Sequence, residues 1–135
     1  MNIGLGGAER LEQLRVRLKR LLEKPPAKAL QAVASGRVVR LASEPLEVWL
    51  VLGEHGDYIV IPGTYCSCPH FTIRVVAQGS TMPCYHLVAV ELAKRLDKFI
   101  DLSGKLSSSE REEIIFETIV SERALTARRI IFKGS

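Results

Sequence analysis

The spacing of cysteine and histidine between Cys66 and His86 is the feature that most restricts how this chain can fold. The stretch CSCPHFTIRVVAQGSTMPCYH holds all three cysteines of the chain and two of its three histidines. Its pattern is Cys66-x-Cys68, a long spacer, and then Cys84-x-His86. Three thiolates and one imidazole are a complete tetrahedral ligand set for Zn²⁺. The pattern therefore predicts that the chain closes a loop around one metal ion.

The two halves of the motif need different backbone conformations to bind one ion. Residues two apart on a strand point to the same side, so Cys66 and Cys68 suit the end of a strand. Residues two apart on a helix diverge by about 200°. We therefore expect Cys84 just before a helix and His86 in its first turn. Pro83 supports this, because proline is favoured near helix starts, and the helix dipole favours a thiolate there.

Other interpretations of the cluster stay open. A Cys66–Cys68 disulfide or redox pair would form a strained ring and leave Cys84 and His86 unexplained. The cysteines can also be buried without any ligand. A catalytic zinc ion usually keeps one position for water, so four protein ligands favour a structural ion. His70 competes with His86 as fourth ligand, although its loop position favours a place outside the ligand set or facing solvent.

Helical spacing of apolar residues predicts two helices before the motif. An amphipathic helix is expected from about Ala8 to Lys24. A second, short helix is expected from Ala27 to Ser35, with Leu30 and Val33 facing inward and Gly36 at its C-terminal cap.

Alternating patterns then predict a small antiparallel meander that ends at Tyr65 and Cys66. The three strands and the turns between them follow from β-rich segments and turn residues. The strands are expected at Arg37 to Ala42, Leu46 to Leu52 and Tyr58 to Ile61. The turns that follow them are expected at 43–45, 53–57 and 62–63. His55, in the second turn, is interpreted as a polar turn residue.

Two further helices are predicted after the motif. The first runs from Tyr85 to Asp97. The second begins at a capping box formed by Ser109 and Glu112 and continues to about Arg129. We expect Ile115, Ile119 and Phe116 to face inward on it. Residues 126–135 are compatible with helix, strand or a tail that binds a partner.

The expected fold class is therefore α+β, a small antiparallel meander with a structural zinc site, flanked and packed by N- and C-terminal helices. The chain of 135 residues, 47% of them hydrophobic, fits one domain by size. We divide it into an N-terminal amphipathic helix (1–26), a zinc-finger domain (27–98) and a linker with a C-terminal helix (99–135). An odd number of cysteines and the lack of a signal-like segment predict an intracellular protein with no membrane association, cytoplasmic or, in a eukaryote, nuclear.

The motif resembles the SWIM zinc-finger family, whose pattern is CxC, a variable spacer and CxH. The resemblance covers roughly Ala29 to Leu96. The segments CSCPHF and CYHLVAVELA are similar to the SWIM subunit of Shu-type recombination-mediator complexes and its archaeal relatives, where the motif extends to CxHxxA, here ending at Ala89. This resemblance implies a structural zinc ion bound by Cys66, Cys68, Cys84 and His86.

The resemblance also implies a non-enzymatic adaptor that pairs with a RecA-like recombinase paralog in DNA recombination and repair. The chain has no metalloprotease, deaminase or Walker A motif, so we expect no enzyme activity. Phe71, Ile73 and Val75, or the terminal helices, are candidate partner surfaces. An adaptor is also expected to expose an apolar patch and to self-associate or capture a partner chain.

The rival hypothesis is direct DNA binding. The net charge of +4, from 19 basic and 15 acidic residues, is compatible with nucleic acid but is offset by interleaved acids. The candidate phosphate contacts are Arg10, Arg15, Arg17, Arg37, Arg40 and Arg74.

Overall fold

The computed structural model describes residues 6–133, which form an α+β fold of five α-helices and a five-stranded sheet. The helices are α1 (Gly7–Glu23), α2 (Ala27–Ala34), α3 (Tyr85–Leu96), α4 (Ser108–Ser121) and α5 (Leu125–Lys133). The strands are β1 (Val38–Ala42), β2 (Val48–Val51), β3 (Tyr58–Ile61), β4 (Tyr65–Cys66) and β5 (Ile100–Asp101), and a π-helical segment spans Phe71–Ala77. No helix in this part of the chain is both long and apolar enough to cross a bilayer.

The sheet has the order β4-β3-β2-β1-β5. Strands β1 to β4 form the predicted antiparallel meander, so this prediction is confirmed. Strand β5 pairs in parallel with β1, with Val39 opposite Ile100. This fifth strand was not predicted, because two residues give no alternating pattern that a sequence can reveal.

Side chains alternate between the two faces of the sheet and build two separate cores. On β1, Val38 belongs to the core shared with α1, α2 and α3, whereas Val39 belongs to the core shared with α4 and α5. The same alternation separates Trp49 from Leu50 on β2. The molecule therefore has three layers, with the sheet between two groups of helices.

Helix α2 ends in a Schellman motif, as the glycine after it predicts. Gly36 has φ +72°, and its N–H donates to Val33 O while the N–H of Arg37 donates to Ala32 O. Val33 is buried, as expected, but Leu30 is 45% exposed. The inward assignment of Leu30 was wrong, because Ala29 and Ala32 make the close contact instead.

Helix α4 begins two residues earlier than predicted. Its capping box is formed by Ser107 and Glu110, not by Ser109 and Glu112. The buried positions are Ile114 and Thr118. Of the three residues expected to face inward, Ile115 is half-buried and packs against the core, which confirms its assignment. Ile119 and Phe116 were misassigned, since they are 50% and 70% exposed.

The predicted helix to Arg129 is in fact two helices. Glu122 has φ +58°, which ends α4, and α5 starts three residues later. The side chain of Glu117 caps α5 by accepting hydrogen bonds from the N–H (2.6 Å) and the hydroxyl (3.1 Å) of Thr126. Residues 126–133 are helical, and the remaining residues, 1–5 and 134–135, lie outside the described part of the chain.

Candidate metal centre

The four predicted ligands come from the two ends of a segment that leaves the sheet and returns at a helix. Cys66 is the last residue of β4, and Cys68 follows two residues later. Cys84 is the N-cap of α3 with extended backbone (φ −72°, ψ 163°), and His86 lies in the first turn. This arrangement agrees with the strand-end and helix-start geometry expected from the spacing.

The structure brings these four side chains into one buried cluster. One ligand atom from each residue lies within 4.8 Å of all the others, and all four residues are buried. Zn–S bonds of about 2.3 Å give tetrahedral edges of about 3.8 Å, so the cluster needs only a small contraction around an ion. All three cysteines are free thiols, which excludes the Cys66–Cys68 disulfide in this structure.

The three sulfurs of the cluster shift one another's pKa values. Hydrogen bonds from the thiol of Cys66, and then of Cys84, lower the pKa of Cys68 well below that of an ordinary thiol. Burial, followed by hydrogen bonds with Cys68 and Cys84, raises the pKa of Cys66. The N–H of Phe71 also donates to the Cys68 sulfur at 3.3 Å. Three thiolates buried this close together repel one another, so ionisation of all three needs a divalent cation beside them.

The imidazole of His86 is held by aromatic neighbours and keeps one nitrogen without a partner. Its ring centroid lies 4.9 Å from that of Tyr58 and 4.0 Å from that of Tyr85. Its Nδ1 is buried and has no hydrogen-bond partner. A buried nitrogen without a partner is costly unless it binds a ligand. An imidazole that keeps an unpartnered nitrogen and lies in a cluster with three sulfurs therefore fits a bound metal ion.

The other two histidines lie outside the cluster. His70 is exposed at the start of the π-helical segment, and His55 is exposed in the β2–β3 hairpin loop. The position of His70 agrees with the solvent-facing location expected for it. Metal binding by Cys66, Cys68, Cys84 and His86 itself stays a prediction that the geometry supports.

A cleft of about 530 Å³ opens beside the cluster, between α2, the hairpin loop and the start of α3. Among its lining residues are Lys28, Arg37, Tyr58 and Tyr85, and Lys28 Nζ lies 5.8 Å from the centroid of the Tyr85 ring. Sequence reasoning did not single out either tyrosine. Tyr85 stands between two ligands in the motif, which is a local signal, whereas Tyr58 reaches His86 only through the folding of the meander.

The spacer between the two halves of the motif is helical over Phe71–Ala77. Of the three spacer residues named as a candidate partner surface, Phe71 is buried against Tyr65, with ring centroids 5.6 Å apart. Val75 packs partly on the core. Ile73 is 52% exposed, so it alone of the three points mainly to solvent.

The six arginines of the rival hypothesis do not form one stripe of free cations. Arg40 is paired with Asp101, and its guanidinium also lies over Phe99, 5.2 Å from the ring centroid. Arg15 donates to Gly63 O and to the hydroxyl of Thr64. Arg37 lines the cleft. Of the other three arginines, Arg10 is partly buried, whereas Arg17 and Arg74 are exposed.

Comparison with protein-family models, curated proteins and solved structures finds no match for this chain. The resemblance to SWIM zinc fingers therefore rests on the sequence motif.

Proposed function

We propose that this chain is a zinc-binding SWIM-type protein that acts as a non-enzymatic adaptor. The observation that carries the proposal is the convergence of four buried donor atoms from Cys66, Cys68, Cys84 and His86 within 4.8 Å. Three sulfurs and one imidazole nitrogen suit Zn²⁺ better than harder ions, which prefer oxygen ligands. Four protein ligands leave no position for a reactive water, so the ion has a structural role.

The place of the cluster in the fold explains what such an ion would do. It would join the end of β4 to the first turn of α3, and so connect the sheet to the helical layer that covers it. The three cysteines belong to the larger hydrophobic core. Binding free energy at a structural zinc site contributes directly to folding. The free thiols also fit a reducing compartment, the cytoplasm or a nucleus.

The adaptor role and its partner come from the resemblance to Shu-type SWIM subunits. We propose a RecA-like recombinase paralog as the partner and DNA recombination or repair as the process. Exposed apolar side chains on the C-terminal helices, such as Phe116 and Val120 at 70% and 66% exposure, support an interaction role.

The metal site is tested by elemental analysis of protein purified without added metal. One zinc per chain is expected. His86→Ala should lose the metal and unfold at lower temperature, whereas the matched variant His70→Ala should keep both, because His70 is exposed and outside the cluster. Zinc loss in His70→Ala with retention in His86→Ala would reassign the fourth ligand, and metal-free protein with reactive thiols would contradict the site.

The adaptor role is tested by affinity capture from the native cell with the zinc-loaded chain as bait. A RecA-family protein should be enriched, and the purified pair should form a stable complex. Capture with the same chain after chelation is the control. Failure to retain a purified RecA-family paralog at micromolar concentrations would reject this partner and leave the zinc site untouched.

Direct DNA binding is the second candidate, favoured by the cleft beside the cluster. Two cations, Lys28 and Arg37, line it together with Tyr58 and Tyr85, and nucleic-acid sites combine phosphate contacts with aromatic stacking. Replacing both cations by Gln should flatten the slope of log affinity against log salt by about 1–2. Lys105→Gln, at an exposed position in the α3–α4 connection, is the control.

A further inference from the structure

A groove of about 380 Å³ lies between α1, the β3–β4 turn and the π-helical segment. Its lining is mainly apolar, with Leu14 and Phe71 buried at its base and Val76, which is 61% exposed, on its rim. Ligand sites in proteins have this range of volume and this kind of lining. The groove is separate from the cleft beside the metal cluster, because no described residue lines both.

The elements that form the groove are fixed to one another. Arg15 of α1 donates from Nε to Gly63 O (3.1 Å) and from Nη2 to the hydroxyl of Thr64 (3.2 Å), which joins the helix to the β3–β4 turn. The ring of Phe71 packs edge-on against that of Tyr65, which joins the π-helical segment to β4. A groove that is already formed binds with less loss of conformational freedom, and π-helical turns are frequent at functional sites.

Arg10 is the one charged residue among the described residues that line the groove. Its Nε is buried and has no hydrogen-bond partner, and its guanidinium forms no ion pair within residues 6–133. This group lies against the end of the π-helical segment, where a Cβ on Gly79 would be 3.4 Å from Arg10 Nη1. A buried donor without an acceptor costs free energy. The groove therefore offers a positive charge and a free hydrogen-bond donor to a ligand.

This lining selects an apolar group with a neighbouring carboxylate. A guanidinium binds a carboxylate through two parallel hydrogen bonds, and apolar walls favour a large side chain such as phenylalanine or leucine. A nucleic acid fits less well, because its backbone is bound through several cations and the described lining has one. The exposure of Val76 leaves the groove open on one side. It therefore suits a side chain presented by another protein better than an enclosed small molecule.

From this groove we infer that a partner protein docks a short segment between α1 and the π-helical segment, with a large apolar side chain in the groove and an adjacent carboxylate on Arg10. The inference rests on the proposed adaptor role and names the chemistry of the segment that the adaptor recognises. It does not depend on the partner being a recombinase paralog. Because the groove is small, an isolated segment should bind with a dissociation constant on the order of 1 mM.

An NMR titration of the ¹⁵N-labelled chain with a blocked pentapeptide tests the groove. The probe has a central phenylalanine flanked on each side by aspartate. Backbone amides of α1 and of the π-helical segment should shift and saturate. A matched peptide with lysine in place of both aspartates should bind at least about fivefold more weakly, and one with alanine in place of phenylalanine should give no measurable binding.

Charge reversal tests the role of Arg10. Arg10→Glu should lose the aspartate peptide and bind the lysine peptide instead, whereas Arg17→Glu, at an exposed position on the same helix outside the groove, should bind as the wild type does. Val76→Asp places a carboxylate on the rim and should weaken binding of the aspartate peptide. Val120→Asp, at a similarly exposed position (66%) on the outer face of α4, should leave that binding unchanged. Circular dichroism checks that all four variants are folded.

Several results would overturn the inference. One is the absence of amide shifts up to about 5 mM peptide, and another is equal binding of the aspartate and lysine peptides. A single-stranded oligonucleotide or octanoate that shifts the same amides at lower concentration than the peptide would assign the groove to nucleic acid or to a small amphipathic anion. Shifts of these amides when only the concentration of the chain is raised would assign it to a second copy.

Affinity capture separates this inference from the adaptor role. A partner that Arg10→Glu captures as well as the wild type does would overturn docking in the groove and leave the adaptor role intact. Peptide binding in the groove without capture of any partner would contradict the adaptor role and leave the binding site.

Discussion

Asp57 is the buried charge that holds the C-terminal helices on the sheet, and its removal should destabilise the protein strongly. The carboxylate is fully buried and accepts four hydrogen bonds. The donors are the backbone N–H groups of Gly53 (3.1 Å) and Ala124 (2.9 Å) and the Nε (2.8 Å) and Nη2 (2.6 Å) of Arg128. In addition, the N–H of Asp57 donates to Glu122 O at 2.8 Å, at the turn between α4 and α5.

The loss in unfolding free energy depends on the groups that Asp57→Ala leaves without a partner. Removing one partner of a buried ion pair costs about 3–5 kcal/mol, because the other charge loses its compensation. The Arg128 side chain is 30% exposed, so water recovers part of its solvation, whereas the N–H of Ala124 stays buried. We therefore expect a loss of about 3–4 kcal/mol, which for a chain of this size lowers the melting temperature by roughly 10–14 °C.

Thermal and urea unfolding of the wild type and of Asp57→Ala measure this loss. Asp101→Ala is the matched control, because Asp101 also pairs with an arginine, Arg40, but its side chain is 41% exposed. Exposed ion pairs contribute about 1 kcal/mol or less. Equal destabilisation by the two variants would refute the reasoning, since burial of the carboxylate would then make no difference.

Three further predictions concern acid, a helix cap and the metal. Burial opposes ionisation of Asp57, but hydrogen bonds from Arg128, Ala124 and Gly53 outweigh it and lower its pKa. The ionised Asp57 carboxylate therefore stabilises the folded protein fully above about pH 4, the pKa of an aspartate in the unfolded chain. This stabilisation is lost as pH falls through the lower pKa that Asp57 has in the folded protein. The difference in unfolding free energy between wild type and Asp57→Ala should shrink from pH 6 to pH 3 in urea titrations. Ser107→Ala should cost about 0.5–2 kcal/mol by thermal unfolding, whereas Ser109→Ala should be nearly neutral; the reverse order would contradict the observed cap. Chelation should lower the melting temperature, and Zn²⁺ should restore it; an unchanged transition in metal-depleted protein would contradict a structural ion.

Local sequence patterns were sufficient to predict the secondary structure of most of the chain up to β4, and of α3. The boundaries of α1, α2 and β3 lie within one residue of the predicted ones, because proline, glycine and a change of period mark them. The ligand cluster was also predictable, because its spacing encodes a strand end and a helix start. These signals lie within a few residues of the structure they determine.

The C-terminal region shows where such signals fail. Ser107–Glu110 and Ser109–Glu112 fit the same capping pattern, so local spacing cannot choose between them. The choice depends on the tertiary packing that buries Ile114 completely in the core and Ile115 only partly. The break at Glu122 likewise depends on Asp57, which is far away in the sequence and accepts a hydrogen bond from the residue two positions after the break. Only the folded chain brings these groups together.

The three-layer arrangement makes the two proposed properties of this protein separable. Cys66, Cys68 and Cys84 belong to the core on the α1–α3 side of the sheet, whereas Ile114 belongs to the core on the other side. The outer face of α4 therefore has the whole sheet between itself and the metal centre. Substitutions on that face should alter binding through its exposed apolar side chains without changing zinc content. Loss of zinc should affect that binding only by unfolding the sheet that both cores share.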